Sequence, residues 1–366
     1  MKNLLFISTI HRMSERMLPA ILDFHVRHGK TTILNLGQSS RNTNYQENKR
    51  YLSNFDNLPF GINVYDGKGI RNKRDVRSKQ YCFESLSLVD EICERHNIDA
   101  IVLDDSRDND LNLALGWYCK KTSIKLFANS HGNTDELEWD KTFCLSNPFY
   151  DKLFVFGRFE VERFESTYHK GKYIPGGIPE NDSIKNYKKN SKQISVIVNR
   201  VVVDGQPSER LFDSSVVEDI GLVDLQKKLQ LPVVFKLKDR MSEDTNRDVD
   251  SLISYLPKGL DYSIVTHVEN ELNFLSNSKL VLSYGSTMAF KALQLNIPTI
   301  IFKGLGPIGL FSSYKGKCDL DRSYFELIEK LDADYFESFL PHILEGSTTF
   351  DATKRYSDYL EEELTT

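Results

Sequence analysis

The stretch that most constrains the fold is residues 279–302, KLVLSYGSTMAFKALQLNIPTIIF. Residues 280–283 form a short apolar run with the length and composition of a buried parallel strand. Tyr284-Gly285 breaks the run, and Ser286 and Thr287 then offer hydroxyls at the head of a helical pattern: Met288, Ala289, Ala292, Leu293 and Leu295. Ser286 suits the N-cap position, where its oxygen satisfies an otherwise orphaned backbone N–H. Asn296-Ile297-Pro298 ends the helix, and residues 299–302 make a second apolar strand. The result is a β-turn-α-β unit with a glycine and two hydroxyls at the helix start. Free N–H donors and the positive end of the helix dipole meet there, so this end can hold a phosphate. The same residues also fit a capped helix in an α/β fold that binds nothing.

A unit of this kind needs a sheet around it, and the rest of the chain supplies two. At 366 residues the protein is long enough for two α/β domains. Residues 3–8 read as the first strand, 14–27 as a helix with Met17, Ile21 and Phe24 at helical spacing, and 31–36 as the next strand. Further strands are expected at 100–103, 124–128 and 153–156, with helices at 84–95, 111–121 and 158–168. YIPGGIPEND, residues 173–182, followed by a lysine-rich polar run, has the composition of a linker. A second alternating series follows, with strands at 194–198, 233–237 and 262–265 and then the 279–302 unit. Helices are expected at 321–331, 335–344 and 353–364. The expected fold is α/β, with two Rossmann-like domains facing across a cleft and helices at the C-terminus. The corresponding division is 1–175 (acceptor domain), 176–193 (linker), 194–345 (nucleotide-donor domain) and 346–366 (C-terminal helix).

Composition narrows the partners. Net charge is −5, from 47 basic and 52 acidic residues, which argues against nucleic acid. The cysteines, Cys82, Cys93, Cys119, Cys144 and Cys318, lack C-x-x-C spacing and an accompanying histidine cluster, so reduced thiols in a cytosol are expected. The N-terminal apolar run is short and meets charges at once, which reads as a strand rather than a signal peptide. No run approaches the roughly 18 apolar residues of a membrane span. The expected location is cytoplasmic, with peripheral contact at the inner face of the membrane left open. Lys68, Arg71, Lys73, Arg74, Arg77 and Lys79 would serve such contact, or an anionic acceptor, and equally make a solvated loop.

Three segments carry a family resemblance. His131-Gly132 after a mid-sheet strand, Pro175–Asp182 at the domain junction, and Ser283–Thr287 with Ala292-Leu293 and Pro298 together resemble motifs of the GT-B nucleotide-sugar glycosyltransferases. Within that superfamily the chain looks most like the surface-polysaccharide branch with the CDP-glycerol glycerophosphotransferases and capsule polymerases. The UDP-N-acetylglucosamine 2-epimerases share the same two-domain plan. The resemblance implies a nucleotide-sugar or CDP-alditol donor, a glycan or lipid-linked acceptor, and His131 as catalytic base. It also places Gly176 and Gly177 among the donor-binding residues. Two positions depart from the family pattern. Lys291 stands where a ribose-binding glutamate is usual, and a cation cannot accept hydroxyl hydrogen bonds. Phe235-Lys236-Leu237-Lys238-Asp239-Arg240 replaces a Lys-Pro-His-Pro-type segment and leaves no second histidine there.

Transfer from an activated donor needs a base for the acceptor hydroxyl and stabilisation of the departing phosphate. His131 follows a strand, precedes a glycine, and has Asp135 and Glu136 close in sequence to orient it. Gly285, Ser286 and Thr287, with Lys236, Lys238, Arg240 and Arg200, are the candidates for the donor phosphates. No Asp-x-Asp stands at a strand end, so no metal and no cofactor beyond the donor itself is expected. Asp104-Asp105 and Asp108-Asn109-Asp110 read as caps and solvated loop. Gly304-Leu305-Gly306-Pro307-Ile308-Gly309 spells G-x-G-x-x-G, but no helix start follows it. Three functions are open at this stage: transfer of a sugar or alditol phosphate, 2-epimerisation of a UDP-sugar, and glycan or partner binding without catalysis.

Overall fold

The structure is a computed structural model that describes residues 2–38, 58–67, 79–104, 110–130, 149–155, 161, 164–166, 170–198, 221–237, 242–268, 270–284, 286, 288–295, 297–301 and 351–365. The chain divides into two compact units. Unit 1 comprises Met1–Asp182 and Glu345–Thr366, and unit 2 comprises Ser183–Leu344.

Unit 1 is built from β1 (Lys2–Ile10), α1 (His11–Arg27), β2 (Gly29–Gln38), β3 (Asn63–Asp66), α2 (Lys79–His96), β4 (Ala100–Leu103), α3 (Asp110–Thr122), β5 (Lys125–Asn129), β6 (Lys152–Val155) and β7 (Tyr173–Pro175). Among the described residues its sheet has the order β3-β2-β1-β4-β5-β6-β7, with every neighbouring pair parallel. This is the doubly wound Rossmann order. Side chains alternate across a strand, so β1 sends Leu5 and Ile7 to one face and Leu4 and Phe6 to the other. The first pair packs with Val89 and Ile92 of α2 and Leu115 of α3. The second packs with Met17, Ala20, Ile21 and Phe24 of α1. Burial on both sides explains why these strands read as unbroken apolar runs.

Unit 2 contains β8 (Gln193–Val198), α4 (Leu222–Leu229), β9 (Val233–Leu237), α5 (Ser242–Tyr255), β10 (Tyr262–Val265), α6 (Glu271–Ser276), β11 (Ser278–Tyr284), α7 (Met288–Gln294) and β12 (Thr299–Ile301). Its parallel sheet has the order β10-β9-β8-β11-β12. The helical pattern read at 288–295 is the buried face: Met288, Ala292 and Leu295 pack with Ile197 and Val281.

Three local features differ from the sequence reading. β3 is mostly exposed and carries no apolar run, and β7 is short and ends on Pro175, so neither has a strand signal. Helix α1 starts at His11, three residues before the expected position, which brings Ser14 over the sheet edge. The segment expected as a linker is packed: Pro179–Asn186 is a 3-10 helix, and Ile178 and Ile184 are buried. The expected helices at 321–331 and 335–344, the G-x-G-x-x-G run at 304–309 and most of the basic run at 68–79 lie outside the described residues.

The final helix, α8 (Ala352–Thr365), belongs to unit 1 and adds Tyr356, Leu360 and Leu364 to the α1 face of its core. The junction segment receives it. Asp182 accepts from the first two amides of α8, Ala352 N at 2.9 Å and Thr353 N at 2.8 Å, as an N-terminal cap supplied from far away in sequence. Gly177 has a φ of +81°, and a Cβ there would lie 2.8 Å from the Ala352 Cβ. At Gly176 a Cβ would lie 2.8 Å from Cδ2 of Tyr356. The glycines mark the close approach of a helix rather than a flexible hinge.

Polar groups hold the outer side of α8 to α1. Arg27 Nη1 is 2.6 Å from Asp358 Oδ1, and Arg27 Nε is 2.7 Å from Asp23 Oδ2. Ser357 Oγ donates to the same Asp23 oxygen at 2.7 Å, and His28 Nε2 lies 3.1 Å from Asp358 Oδ1. Partial burial opposes the charge on Asp358, but hydrogen bonds from Lys354, Arg27 and His28, together with the Arg27 charge, hold its carboxyl down at about 2. Because the folded value lies below the ordinary 3.8, the pair stabilises the protein above that value and its contribution disappears as pH falls towards about 2. Asp358→Asn should therefore lower the thermal midpoint by about 2 °C at neutral pH, since the pair is partly exposed. Scans of both proteins at descending pH should show that difference closing below pH 4 and not between pH 5 and 8.

Candidate active site

The C-terminal edge of the unit 1 sheet gathers the polar residues that the strands themselves exclude. The order reverses between β1 and β4, and in open parallel sheets this is where ligands bind. Asp104, directly after β4, is wholly buried there. Its carboxylate accepts from Thr9 N at 2.8 Å, Thr9 Oγ1 at 2.6 Å and Ser14 Oγ at 2.6 Å. Ser8 Oγ is 2.6 Å from Ser14 Oγ, and because Ser14 gives its proton to Asp104, Ser8 is the donor in that pair. The reading of Asp104 as solvated loop is thus corrected. The early start of α1 places hydroxyls from Thr9 and Ser14 over β4, and three donors make a buried carboxylate tenable.

Farther along the same edge a small concavity is lined by Arg16 and Met17 of α1, Asn129 and Ser130 at the end of β5, Phe154 of β6, and Gly177 and Ile178 after β7. Arg16 is buried, and its Nε lies 4.0 Å from Glu180 Oε2. Asn129 Nδ2 donates to Leu103 O at 2.7 Å, and Ser130 N donates to Phe154 O at 2.9 Å. The residue after Ser130 is His131. His131 and Asp135 lie outside the described residues, as do Arg200, Lys238, Arg240, Gly285 and Thr287. Of the glycines predicted to bind donor, Gly176 packs beneath α8, and Gly177 both meets α8 and lines the concavity.

In unit 2 the corresponding edge holds Lys236, Ser283, Ser286 and Lys291. Lys236 is buried, and its Nζ donates to Leu237 O and, at 3.0 Å, to Thr266 O. Ser286 Oγ accepts from Met288 N at 3.3 Å, and its carbonyl accepts from Ala289 N at 3.1 Å, so it acts as a cap for α7. Ser283, wholly buried at the end of β11, has an Oγ with no hydrogen-bond partner among the described residues. Lys291 is 2.8 Å from Glu271 Oε2, and both groups are largely buried. The lysine that replaces an expected glutamate therefore carries a carboxylate partner from α6.

The sequence places Asn129-Ser130-His131-Gly132 at the C-terminal end of a strand, but it gives no sign of Arg16 and reads Asp104 as a cap or solvated loop. The spacing of Ser8, Thr9 and Ser14 around the β1–α1 turn was the available signal. Among the described residues no group of three or more His, Cys, Asp or Glu side chains is placed to hold a metal ion. No described helix is long and apolar enough to cross a membrane.

No protein-family model matches the chain, and no curated protein sequence matches it. Solved structures do. UDP-GlcNAc 2-epimerase from Neisseria meningitidis, bound to UDP-GlcNAc, superposes with a TM-score of 0.68 at 16% identity, covering 100% of both chains. The chain has a GT-B-like fold. A glycosyltransferase from Rickettsia africae gives 0.64 at 12% identity, covering 100% of this chain and 99% of its own. UDP-GlcNAc 2-epimerase from Methanocaldococcus jannaschii gives 0.64 at 13%, with the same coverage. At such identities the likeness is one of fold. None of these structures points to the CDP-glycerol branch read from the sequence motifs.

The buried carboxylate gives this edge a measurable signature. Asp104→Ala leaves the Thr9 and Ser14 donors without their acceptor and should lower the urea stability of unit 1 by about 2–4 kcal/mol. A loss below about 0.5 kcal/mol would mean that the hydroxyls re-pair without it.

Proposed function

We propose that the chain is a metal-independent enzyme that transfers a sugar or alditol phosphate from a nucleotide-activated donor to a glycan or lipid-linked acceptor in surface-polysaccharide synthesis. It would work at the cytoplasmic face of a membrane, where soluble donor and lipid-linked acceptor meet. The observation that carries the reading is the polar C-terminal edge of unit 1, where Asn129 and Ser130, the residues that precede His131-Gly132 in the sequence, line a concavity with buried Arg16. The two Rossmann-type units and the GT-B-like fold support it, as do the motif resemblances at His131, at the junction and at the 283–287 turn.

In the proposed step His131, oriented by Asp135, takes the proton of the acceptor hydroxyl. The acceptor oxygen forms the new bond to the transferred group as the bond to the nucleotide phosphate breaks. The negative charge gathering on that phosphate is met by the backbone amides of Gly285–Thr287 and by the cations Lys238, Arg240 and Arg200. Ser283, whose buried hydroxyl has no partner among the described residues, heads this turn and has a donor to offer. Lys236 already donates to two carbonyls, so it contributes positive field and strand-end rigidity more than a direct contact. The Lys291–Glu271 pair keeps a carboxylate beside α7 where the family pattern has one on it.

A second reading, 2-epimerisation of a UDP-sugar, is favoured by the full-length fold likeness to the Neisseria meningitidis enzyme. The two differ in whether an acceptor is needed. Calorimetry with CDP-glycerol, UDP-GlcNAc and CMP-linked sugars, followed by an acceptor-free assay of any donor that binds, separates them. Conversion of the free nucleotide sugar would establish the epimerase, and failure of every donor to bind would leave a non-catalytic binding module.

His131→Ala should abolish transfer while leaving donor affinity within about twofold, because a base adds to the reacting bond and not to ground-state binding. Unchanged turnover would remove His131 from the mechanism. Ser286→Ala should cost about 1 kcal/mol of stability through the lost cap. If the turn also holds phosphate, donor affinity should fall by a further 1 kcal/mol or so. Thermal unfolding with and without donor reads the two effects apart.

A further inference from the structure

The C-terminal helix reaches the wall of the unit 1 site with one side chain. The Tyr356 hydroxyl donates to Asn129 Oδ1 at 2.6 Å, and its ring stacks on Phe154 with centroids 3.8 Å apart and planes 27° from parallel. Both partners line the concavity that also contains Arg16 and Ser130. Asn129 passes the contact on. Its carbonyl oxygen is engaged by Tyr356, and its Nδ2 donates to Leu103 O, the residue before Asp104, at 2.7 Å. Tyr356 therefore ties together the ends of β4, β5 and β6. Burial pushes its hydroxyl well above the ordinary tyrosine range, so it stays a proton donor and holds the Asn129 amide in one orientation.

The tie is specific. A leucine of the same depth would fill the space beneath Gly176 but would leave Asn129 Oδ1 buried and unmet. The junction segment is shaped for this approach, through the room left at Gly176 and Gly177 and the cap from Asp182.

We propose that Tyr356 is a positioning residue for the unit 1 site: through Asn129 and Phe154 it sets the strand ends that carry Asp104 and Ser130 and lead into His131. The site is then complete only when α8 is docked, and the last helix of the chain becomes a functional part of unit 1. The catalytic consequence rests on the reading of this edge given above, whereas the structural consequence does not. The link runs through the Tyr356 hydroxyl, so a change that leaves this bond in place leaves the strand ends in order.

The test uses the full chain with Tyr356→Phe, which keeps the stack and removes the donor, and Asp358→Asn, which loosens α8 from its outer side. Hydrogen exchange is read in peptides covering residues 125–130 and 152–155, beside turnover of UDP-GlcNAc and CDP-glycerol. With Tyr356→Phe, the 125–130 peptide should exchange about fivefold faster, the loss of one buried hydrogen bond. In Asp358→Asn only α8 should loosen. Turnover should fall about tenfold in kcat with KM little changed in Tyr356→Phe, the mark of misplaced reacting groups. Asp358→Asn should retain turnover. Unaltered exchange at 125–130 in Tyr356→Phe overturns the proposal, as does the same acceleration in both variants, which would make α8 a mere cover. If the wild-type protein turns over neither donor, the nucleotide-donor reading fails, and the exchange result still decides the positioning role.

Discussion

A parallel strand covered on both faces takes small polar side chains along its length but has room for a charged one only near its ends. In unit 1 the alternation of Leu4 and Phe6 with Leu5 and Ile7 commits β1 to two separate cores. What the chain needs for chemistry must then collect at a rim. That single constraint accounts for the placement of Asp104, Asn129 and Ser130, each at or just beyond the C-terminal end of a strand, and of Lys236, one residue before such an end. It also explains why these groups are buried yet polar. They sit at the boundary where strand hydrogen bonding stops and helix starts begin, so amides and hydroxyls are at hand to receive them. Asp104 is the sharpest case: a carboxylate at that depth needs donors such as those of Thr9 and Ser14.

The C-terminal helix extends the same logic to the other end of the sequence. Among the described residues, α8 returns to the α1 face of unit 1 and covers it with Tyr356, Leu360 and Leu364. The return has to be accommodated, and Gly176, Gly177 and Asp182 do so by space and by charge. A segment rich in glycine and proline thus reads in two ways. Such residues give freedom when solvated. When a helix lies against them they give proximity, and the buried flanks Ile178 and Ile184 distinguish the second case.

This divides what the sequence reveals from what it withholds. Elements whose residues face one environment are legible: β4, β9 and β10 fall where their apolar runs begin and end, and the face of α7 follows from its spacing. Illegible elements owe their conformation to partners distant in sequence. β3 is a strand because β2 pairs with it from Thr32 to Asn35, and β7 because β6 does so. Local pattern located the end of β5, the end of β11 and the start of α7, since a strand followed by glycine and hydroxyls is a local signal. It missed Asp104, because the donors that bury it come from residues 9 and 14, and it missed Tyr356, whose partner Asn129 is 227 positions away. Long-range polar pairing leaves no periodicity to read.

Lys291 shows how an apparent defect changes meaning with its neighbour. Taken alone, a cation in place of a ribose-binding carboxylate removes an acceptor. Paired at 2.8 Å with Glu271 it becomes half of a largely buried ion pair, and such a pair is costly to break from one side. The pair joins α6 to α7, the helix that starts at the 283–287 turn, so its first duty is to hold that helix against the sheet. The charge reversal at position 291 is thus answered by a carboxylate that arrives from the adjacent helix. The relevant unit of comparison with the family pattern is then the α6–α7 pair and not position 291 alone.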